Sequence, residues 1–197
     1  MISFIVVSFG NPKRLRTCLS SLIDQDYPDI EVIVADNTID IETANANKEL
    51  CLMDSRIRYE WTSDRTIITG PHTRCLYTAT EIGVGLAKGE WIALPNQDSA
   101  YPSVFADRMI NHAENHGLEL CYADFLLGGP TMDYRLISTQ PKNCMIDKTC
   151  FIMKRLWFEG FPDKTTNYSC ADGLMIEYLV AIGIRHGALR QCLVTHN

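Results

Sequence analysis

The sequence lacks the features that mark several other classes of protein. Within its 197 residues no apolar stretch reaches the roughly 18 residues of a membrane-spanning helix, so no membrane span is predicted. The strand-like start has neither the basic segment nor the apolar core of a signal peptide, and we expect a cytoplasmic protein. Basic residues are fewer than acidic ones, with 18 Lys and Arg against 24 Asp and Glu, which argues against nucleic acid or an anionic membrane as the partner.

The cysteines also lack an informative spacing. There are eight of them, no two form a C-x-x-C pair, and several fall within apolar runs. A reduced cysteine packs as a small hydrophobic residue in such a run. We therefore expect reduced thiols, as in cytoplasmic proteins.

The chain has no internal repeat, low-complexity tract or linker, and its length predicts one domain. Its first half alternates apolar runs, typical of strands buried on both faces, with stretches of helical spacing. Strands are predicted over 2–7, 30–35, 56–61 and 90–94, and helices over 12–23, 42–53 and 73–87. This alternation predicts a mostly parallel, three-layer α/β sheet.

The alternation weakens after residue 124. Residues 127–143 contain Gly128-Gly129-Pro130 and Pro141 without a clear period, and we interpret them as a functional loop or flap. The remaining elements are predicted strands over 119–123, 145–153 and 191–195, and predicted helices over 103–116 and 172–182.

Polar residues follow three of the predicted parallel strands. They are Ser8 to Asn11, Asp36-Asn37 and Asn96 to Asp98. In open α/β sheets, ligands bind outside the carboxyl ends of the strands, so these residues suggest a nucleotide or sugar-phosphate pocket. The alternative for Asp36-Asn37 is a simple turn, since both residue types favour turns.

The tripeptide Asn96-Gln97-Asp98 stands where an Asp-x-Asp metal site is expected, but it lacks the first acid. A carboxylate and an amide at a strand end suit a hard cation such as Mn²⁺ or Mg²⁺. The amide oxygen of Asn96 can coordinate such an ion but adds no charge, so a weakened site is expected.

Several segments together resemble family 2 glycosyltransferases with the GT-A fold. Residues 2–37, from ISFIVVSFGN through CLSSL to EVIVADN, are similar to the start of that family. Gly83-Val84 and Gly89 to Ile92 resemble the segment that introduces its Asp-x-Asp motif. Phe158 to Phe161, followed by Ala171-Asp172, resembles its Gly-Gly-Phe turn and Glu-Asp helix.

The resemblance implies a GT-A-like three-layer α/β/α sandwich with a mostly parallel central sheet, forming a single glycosyltransferase-like domain over 1–197. Residues 1–95 would be the nucleotide-binding half and residues 96–197 the acceptor and catalytic half. The implied activity is that of an inverting, hexosyltransferase-type glycosyltransferase. It would move a sugar from a nucleotide-diphosphate donor, most often UDP-linked in lookalikes, to a hydroxyl of a saccharide acceptor.

The resemblance also assigns the donor side of the site. Asp36 matches the acid that accepts a hydrogen bond from the donor base, and Ser8 and Asn11 match the loop that flanks the nucleoside. Thr80-Glu81 departs from the Arg-Asn that the family often has there, which removes one cation near the diphosphate. Either Arg74 or Arg65 would have to replace it.

The metal and the base are assigned in the same way. Asn96 and Asp98 match the metal motif for Mn²⁺ or Mg²⁺, and His196 matches a C-terminal metal ligand of some GT-A enzymes. Asp172 matches the acid that removes the acceptor's proton, although Ala171 replaces the Glu before it. Open alternatives are that Asp172 and Asp98 cap helices and that His196 is a surface tail residue.

The acceptor side is the least defined part of the prediction. Residues 127–143 would form it, with Tyr134 and Arg135 as contacts. The acceptor is expected to be a small saccharide, unless a second subunit of a homo-oligomer completes its site. Two rival functions stay open: a degenerate nucleotide- or sugar-binding module without catalysis, and a nucleotidyltransferase, for which Ser8 to Pro12 is a poor match.

Overall fold

The computed structural model describes residues 1–62, 73–129, 132–161 and 171–196, with 73–76 and 132 by their backbone alone. Within these residues the chain is an α/β protein with nine strands in one curled, mixed sheet. The helices are α1 (Pro12–Ile23), α2 (Ile41–Leu50), α3 (Thr73–Leu86), α4 (Phe105–Asn115) and α5 (Ala171–Ala181). The strands are β1 (Ile2–Ser8), β2 (Ile30–Asp36), β3 (Ile57–Trp61), β4 (Trp91–Ala93), β5 (Ser99–Ala100), β6 (Leu120–Gly129), β7 (Met132–Ile137), β8 (Phe151–Lys154) and β9 (His186–His196).

The first half of the sheet is parallel, as the alternating pattern predicts. β1 pairs with β2 on one side and β4 on the other, and β3 adds to β2. All seven residues of β1 are buried, which is why this strand is an almost continuous apolar run. The register pairs Ser8 with Asp36, so the polar residues that end β1 and β2 lie side by side.

The second half of the sheet is mostly antiparallel. β8 pairs with β4 and β6 in that orientation, β9 runs parallel to β6, and the short β5 pairs with the end of β9. The strand order is β3-β2-β1-β4-β8-β6-β9-β5, with β7 beside β6. The sheet therefore joins strand ends from both halves of the chain.

Two predicted elements of this half are wrong. β6 continues to Gly129 and pairs with β7, so part of 127–143 is a β-hairpin rather than a loop. The strand predicted over 145–153 begins only at Phe151, after a 3₁₀ turn, Lys148–Cys150. The carboxylate of Asp147 accepts hydrogen bonds from the backbone N and hydroxyl of Thr149, which stabilises the turn over an extended strand.

Two expectations from composition can be compared with the fold. The six cysteines whose side chains are described carry no disulfide. Four of them, Cys18, Cys51, Cys121 and Cys150, are buried and pack as hydrophobic residues. Among the described helices, none combines the length and apolar character needed to cross a bilayer.

Candidate active site

The loop after β4 is fastened to the end of β1 by a residue that the sequence analysis did not single out. The Gln97 carbonyl oxygen (Oε1) accepts hydrogen bonds from the Ser8 hydroxyl at 3.2 Å and from the Phe9 backbone N at 3.0 Å. Its amide nitrogen donates to the Phe9 carbonyl at 2.8 Å. Asn96 bridges to Val7 through the backbone. Gln97 therefore sets the position of the Asn96 to Asp98 loop.

Asp36 lies at the predicted strand end but is completely buried. One carboxylate oxygen accepts from the Thr38 backbone N at 3.1 Å and the Thr38 hydroxyl at 2.6 Å. The other accepts from the Asn47 amide at 3.1 Å and the Tyr59 hydroxyl at 2.9 Å. These four bonds match the roughly four acceptor positions of a carboxylate. The predicted contact with a donor base stays a prediction, and it requires one of these bonds to be exchanged.

Ser8 belongs to the same buried network, because the Asn47 amide also donates to the Ser8 hydroxyl at 3.2 Å. Asn47 and Tyr59 were not predicted to take part. Neither Asn in a helix nor Tyr in a strand signals such a role by itself. Only the packing of α2 and β3 beside β2 brings them to Asp36.

Helix α1 begins at the edge of the site. The Asn11 side chain accepts a hydrogen bond from the Arg14 backbone N at 3.1 Å, so Asn11 is the N-cap of α1. The Arg14 guanidinium reaches the Asp98 carboxylate at 3.3 Å and is 46% exposed. Sequence reasoning missed Arg14 as a cation of the site, although its place one turn after the β1 loop was the available signal.

Arg74 and Arg65 were the cations proposed from sequence. The Arg74 side chain and the whole of Arg65 lie outside the described residues. Glu81 is one of the two residues that replace the Arg-Asn of the family. Its carboxylate accepts a hydrogen bond from the Phe161 backbone N at 2.9 Å. This contact fastens α3 to the segment around Phe161.

Asp98 and His196 lie side by side, as the proposed metal pair requires. β5 pairs with β9 so that Ser99 is opposite His196. The His196 Nδ1 is 3.9 Å from an Asp98 carboxylate oxygen and 3.3 Å from the Ser99 hydroxyl. Asp98 does not cap α4, which starts at Phe105, and His196 is part of a strand rather than a loose tail.

The chemistry of this pair fits Mn²⁺ or Mg²⁺. The carboxylate oxygen of Asp98 is a donor that suits both ions, whereas the imidazole nitrogen of His196 suits a transition metal such as Mn²⁺ better than Mg²⁺. One or two protein ligands suffice when phosphate oxygens and water complete the shell. In the described part of the chain, no group of three or more His, Cys, Asp or Glu side chains converges as a metal site. Asn96 is half-buried at the start of the loop, and its backbone oxygen accepts from the Ser99 N at 3.0 Å.

A cleft of about 340 Å³ opens beside Asp98. Tyr134, on β7, reaches it from the hairpin, and a Cβ on Gly128 would lie only 2.5 Å from the Tyr134 ring. Gly128 therefore lets the ring pack against the hairpin. Arg135, the other predicted contact, is exposed on the same strand. The cleft is lined by Arg14, Thr17, Gln97, Asp98, Ser99, Gly129 and Tyr134.

Asp172 is the second residue of α5 and is 6% exposed. Its carboxylate accepts from the Lys148 backbone N at 2.8 Å and from the Gly173 backbone N at 2.9 Å. Burial, together with the charge of Asp147, raises its pKa from 3.8 to about 6. Asp172 lies inside the first turn rather than before it. A carboxyl with this pKa can accept and release a proton near neutral pH.

Lys148 connects Asp172 to the loop that carries Asp98. Its backbone N holds the Asp172 carboxylate, and its ammonium donates to the carbonyl oxygen of Leu94 at 3.4 Å. The sequence analysis missed this residue. It lies with Asp147 and Thr149 inside the strand predicted over 145–153, and three polar residues in a row within a predicted strand were the only sign of it.

A family model and a curated relative match most of this chain. The family model described as Glycosyl transferase family 2 matches residues 3–192. EpsH of Bacillus subtilis (strain 168), which carries the name of a glycosyltransferase, is 26% identical over 147 residues. The match covers 72% of this chain and 40% of EpsH.

Solved structures share the fold at low sequence identity. S. aureus TarS 1-349 has a TM-score of 0.76 at 14% identity, over 100% of this chain and 60% of TarS. Its complex with UDP-GlcNAc has a TM-score of 0.72 at 15% identity, over 98% and 57%. The mannosyltransferase PcManGT of Pyrobaculum calidifontis, with GDP-Man and Mn²⁺, gives 0.72 at 14% identity, over 99% and 56%.

The chain thus spans about half the length of these relatives. The predicted GT-A fold is confirmed by the TarS structures, and the family match extends over nearly the whole chain. These findings show that the chain has the GT-A fold and belongs to glycosyl transferase family 2.

Proposed function

We propose that this domain transfers a hexosyl group from a UDP-sugar to a hydroxyl of a saccharide acceptor, with inversion at the anomeric carbon. The observation that carries the proposal is the environment of Asp172, a buried carboxyl whose pKa is raised to about 6 by burial and by Asp147. Single displacement needs one base of this kind, because the acceptor hydroxyl must lose its proton as it attacks.

In the proposed reaction, the acceptor oxygen forms a bond to the anomeric carbon while the bond from that carbon to the diphosphate oxygen breaks. The acceptor proton moves to the Asp172 carboxylate, and the electron pair leaves with the nucleoside diphosphate. Arg14, at the start of α1, lies where it can meet the diphosphate charge, and the first turn of α1 holds no acid to oppose it.

Asp98 and His196 are the residues that would hold Mn²⁺ or Mg²⁺. Such an ion, when bound, neutralises charge on the leaving diphosphate as a Lewis acid. Asn96 would add an amide oxygen without charge, so weak metal binding is expected. PcManGT, which is described with Mn²⁺, supports this part of the proposal by analogy of fold.

Ligands of similar structures support the proposed donor, whereas the cleft beside Tyr134 supports the proposed acceptor. TarS is described with UDP-GlcNAc and PcManGT with GDP-Man, so a sugar nucleotide is the common ligand class. We assign residues 1–95 to the donor and residues 96–197 to the acceptor and the catalytic carboxyl. The acceptor is a small saccharide bound beside Tyr134 in the cleft, or a second subunit completes its surface.

A donor screen by differential scanning fluorimetry tests the proposal. Purified protein is heated with UDP, GDP, UDP-hexoses and GDP-mannose, each with and without Mn²⁺. A ligand at 100 times its Kd adds about 2.7 kcal/mol of stability, so UDP with Mn²⁺ should raise the Tm clearly. The alternative outcome has three parts: ligand binding is the same with and without Mn²⁺, the donor is not turned over, and Asp172→Asn binds the ligand as the original protein does. That outcome would identify a non-catalytic binding module instead.

The metal pair can be tested separately by calorimetry of UDP binding. Asp98→Ala should abolish the enhancement by Mn²⁺, whereas Asn96→Asp should strengthen it about tenfold, because a second carboxylate adds charge to the site. Asp107→Ala, at an exposed position on α4, is the matched control and should leave the enhancement unchanged. If neither change in the loop alters the metal response, Asn96 to Asp98 hold no metal.

A further inference from the structure

Lys148 is a buried lysine to which the proposed reaction assigns no part. It is 5% exposed and begins the 3₁₀ turn before β8. Removing an ammonium from water costs free energy unless charged or polar partners compensate. The partners of Lys148 therefore indicate what its charge does.

Two contacts of Lys148 reach two different parts of the site. Its backbone N donates to the Asp172 carboxylate at 2.8 Å. Its ammonium donates to the carbonyl oxygen of Leu94 at 3.4 Å, and Leu94 directly precedes Pro95 and the loop of Asp98. One residue thus joins the candidate base to the candidate metal loop.

The pKa of the Lys148 ammonium is lowered overall, because nearby carboxylates offset only part of the effect of burial. Burial lowers the pKa of the ammonium, but the carboxylates of Asp147, Asp172 and Asp98 all raise it. Lys148 and Asp172 are buried, whereas Asp147 and Asp98 are half-buried. The cation therefore compensates charge on each of the acids that it faces.

The groups that face Asp172 come from two parts of the chain, the turn at residues 147–150 and helix α3. Asp147 raises its pKa and the Lys148 ammonium lowers it. Tyr77 on α3 and the thiol of Cys150 face it as well, since the Asp172 charge raises the pKa of both. Lys148 is the group in this set that stabilises the ionised carboxylate through charge.

We propose that Lys148 is a positioning residue for sugar transfer, which keeps Asp172 ionised and fixes it relative to the Asp98 loop. The role of Lys148 in sugar transfer rests on the proposed function. The coupling between Lys148 and Asp172 exists whether or not the protein transfers sugar. It can therefore be measured without substrate.

The test uses Lys148→Met and measures two titrations. NMR of ¹³C-labelled aspartate follows the Asp172 carboxyl in the free protein, with Asp172→Asn to assign the signal. The Asp172 pKa should rise by about one unit when the ammonium is removed. The acidic limb of kcat/KM for sugar transfer should move to higher pH by the same amount, with the loss mainly in kcat.

Lys154→Met is the matched control. Lys154 is also a largely buried lysine of this sheet, but it pairs with Glu90 and lies over the Trp91 ring, 4.1 Å from its centroid. Its substitution should leave both titrations where they are. Lys148→Arg keeps the charge and should return the acidic limb towards its original position.

The outcomes separate this inference from the proposed function. An Asp172 titration that stays in place in Lys148→Met overturns the inference, even if the variant melts earlier. A shifted titration with no sugar transfer in any variant supports the coupling and removes its catalytic meaning, together with the proposed function. A shift in Lys154→Met as large as in Lys148→Met also overturns the inference, because any loss of a lysine would then suffice.

Discussion

The two buried carboxylates of the site, Asp36 and Asp172, have different surroundings. Asp36 is completely buried and accepts four hydrogen bonds from Thr38, Asn47 and Tyr59. Asp172 is 6% exposed and accepts two, both from backbone N–H groups. Its charge is opposed by burial and by Asp147, so that its pKa rises to about 6.

The difference shows two uses of the same chemical group. Around Asp36, side chains from the loop after β2, from α2 and from β3 meet on one carboxylate, which holds these elements together. Around Asp172, two backbone hydrogen bonds and the charge of Lys148 offset only part of the effect of burial and Asp147, and proton exchange becomes accessible near neutral pH. We therefore interpret Asp36 chiefly as an anchor and Asp172 as the reactive group.

The largest expected effect comes from Asp172→Asn. The variant should lose sugar transfer by about 10²–10⁴-fold, the usual contribution of a positioned base. It should not lose stability at pH 8, because the folded-state pKa of Asp172 is raised and ionisation of this carboxyl opposes folding. Transfer rates and urea unfolding at several pH values measure the two effects.

The pH dependence of this prediction has a definite sign. The stability cost of ionised Asp172 develops between pH 3.8 and about 6 and is fully present above that range. Its upper bound is about 3 kcal/mol, and it is reduced by about 1–3 kcal/mol because the single oxygen of Asn leaves the backbone N–H of Lys148 or Gly173 without an acceptor. The stability gain of Asp172→Asn should thus shrink as pH falls to 4. A variant that is less stable by the same amount at every pH would contradict it.

Asp36→Asn, unlike Asp172→Asn, should lower the stability of the folded protein. Asn has one acceptor oxygen, so donors from Thr38, Asn47 or Tyr59 are left without a partner, at a cost of about 2–3 kcal/mol. Urea unfolding measures the loss, and Asp107→Asn on the exposed face of α4 is the control. If Asp36→Asn is as stable as the original protein and yet binds UDP poorly, Asp36 contacts the donor base directly.

Tyr59→Phe is the mildest test of the anchor. It removes the hydroxyl that donates to Asp36 at 2.9 Å and lies 3.1 Å from the Ala44 carbonyl. The expected loss is about 1 kcal/mol, with sugar transfer per folded molecule unchanged. Tyr178→Phe, on a side chain that is 51% exposed, controls for the loss of a hydroxyl. A loss of transfer with full stability would assign Tyr59 to the donor site instead of the anchor.

The sequence predicted the first half of the fold well. The predicted strands over 2–7 and 30–35 differ from β1 and β2 by one residue each, because strands buried on both faces are nearly continuous apolar runs. The β6–β7 hairpin was missed because Gly128 and Gly129 look like loop residues. Their pairing depends on β6 having β8 and β9 as neighbours.

The site divides in the same way. Asp36, Asn96, Asp98 and Asp172 are predicted from strand ends, a helix start and the family pattern, and their roles stay predictions. Gln97, Arg14 and Lys148 are not predicted, because a glutamine, an arginine or a lysine has no local signal that distinguishes a site contact from a solvated side chain.

The sequence by itself determined the family, the parallel first half of the sheet and the acids at its strand ends, because these depend on local apolar patterns and short motifs. Only the tertiary structure decided how each acid behaves. β5 and β9 bring His196 beside Asp98, four hydrogen bonds occupy Asp36, and Lys148 meets Asp172 from a distant turn. Burial and charge are sums over contacts far apart in the chain, and no single segment contains them.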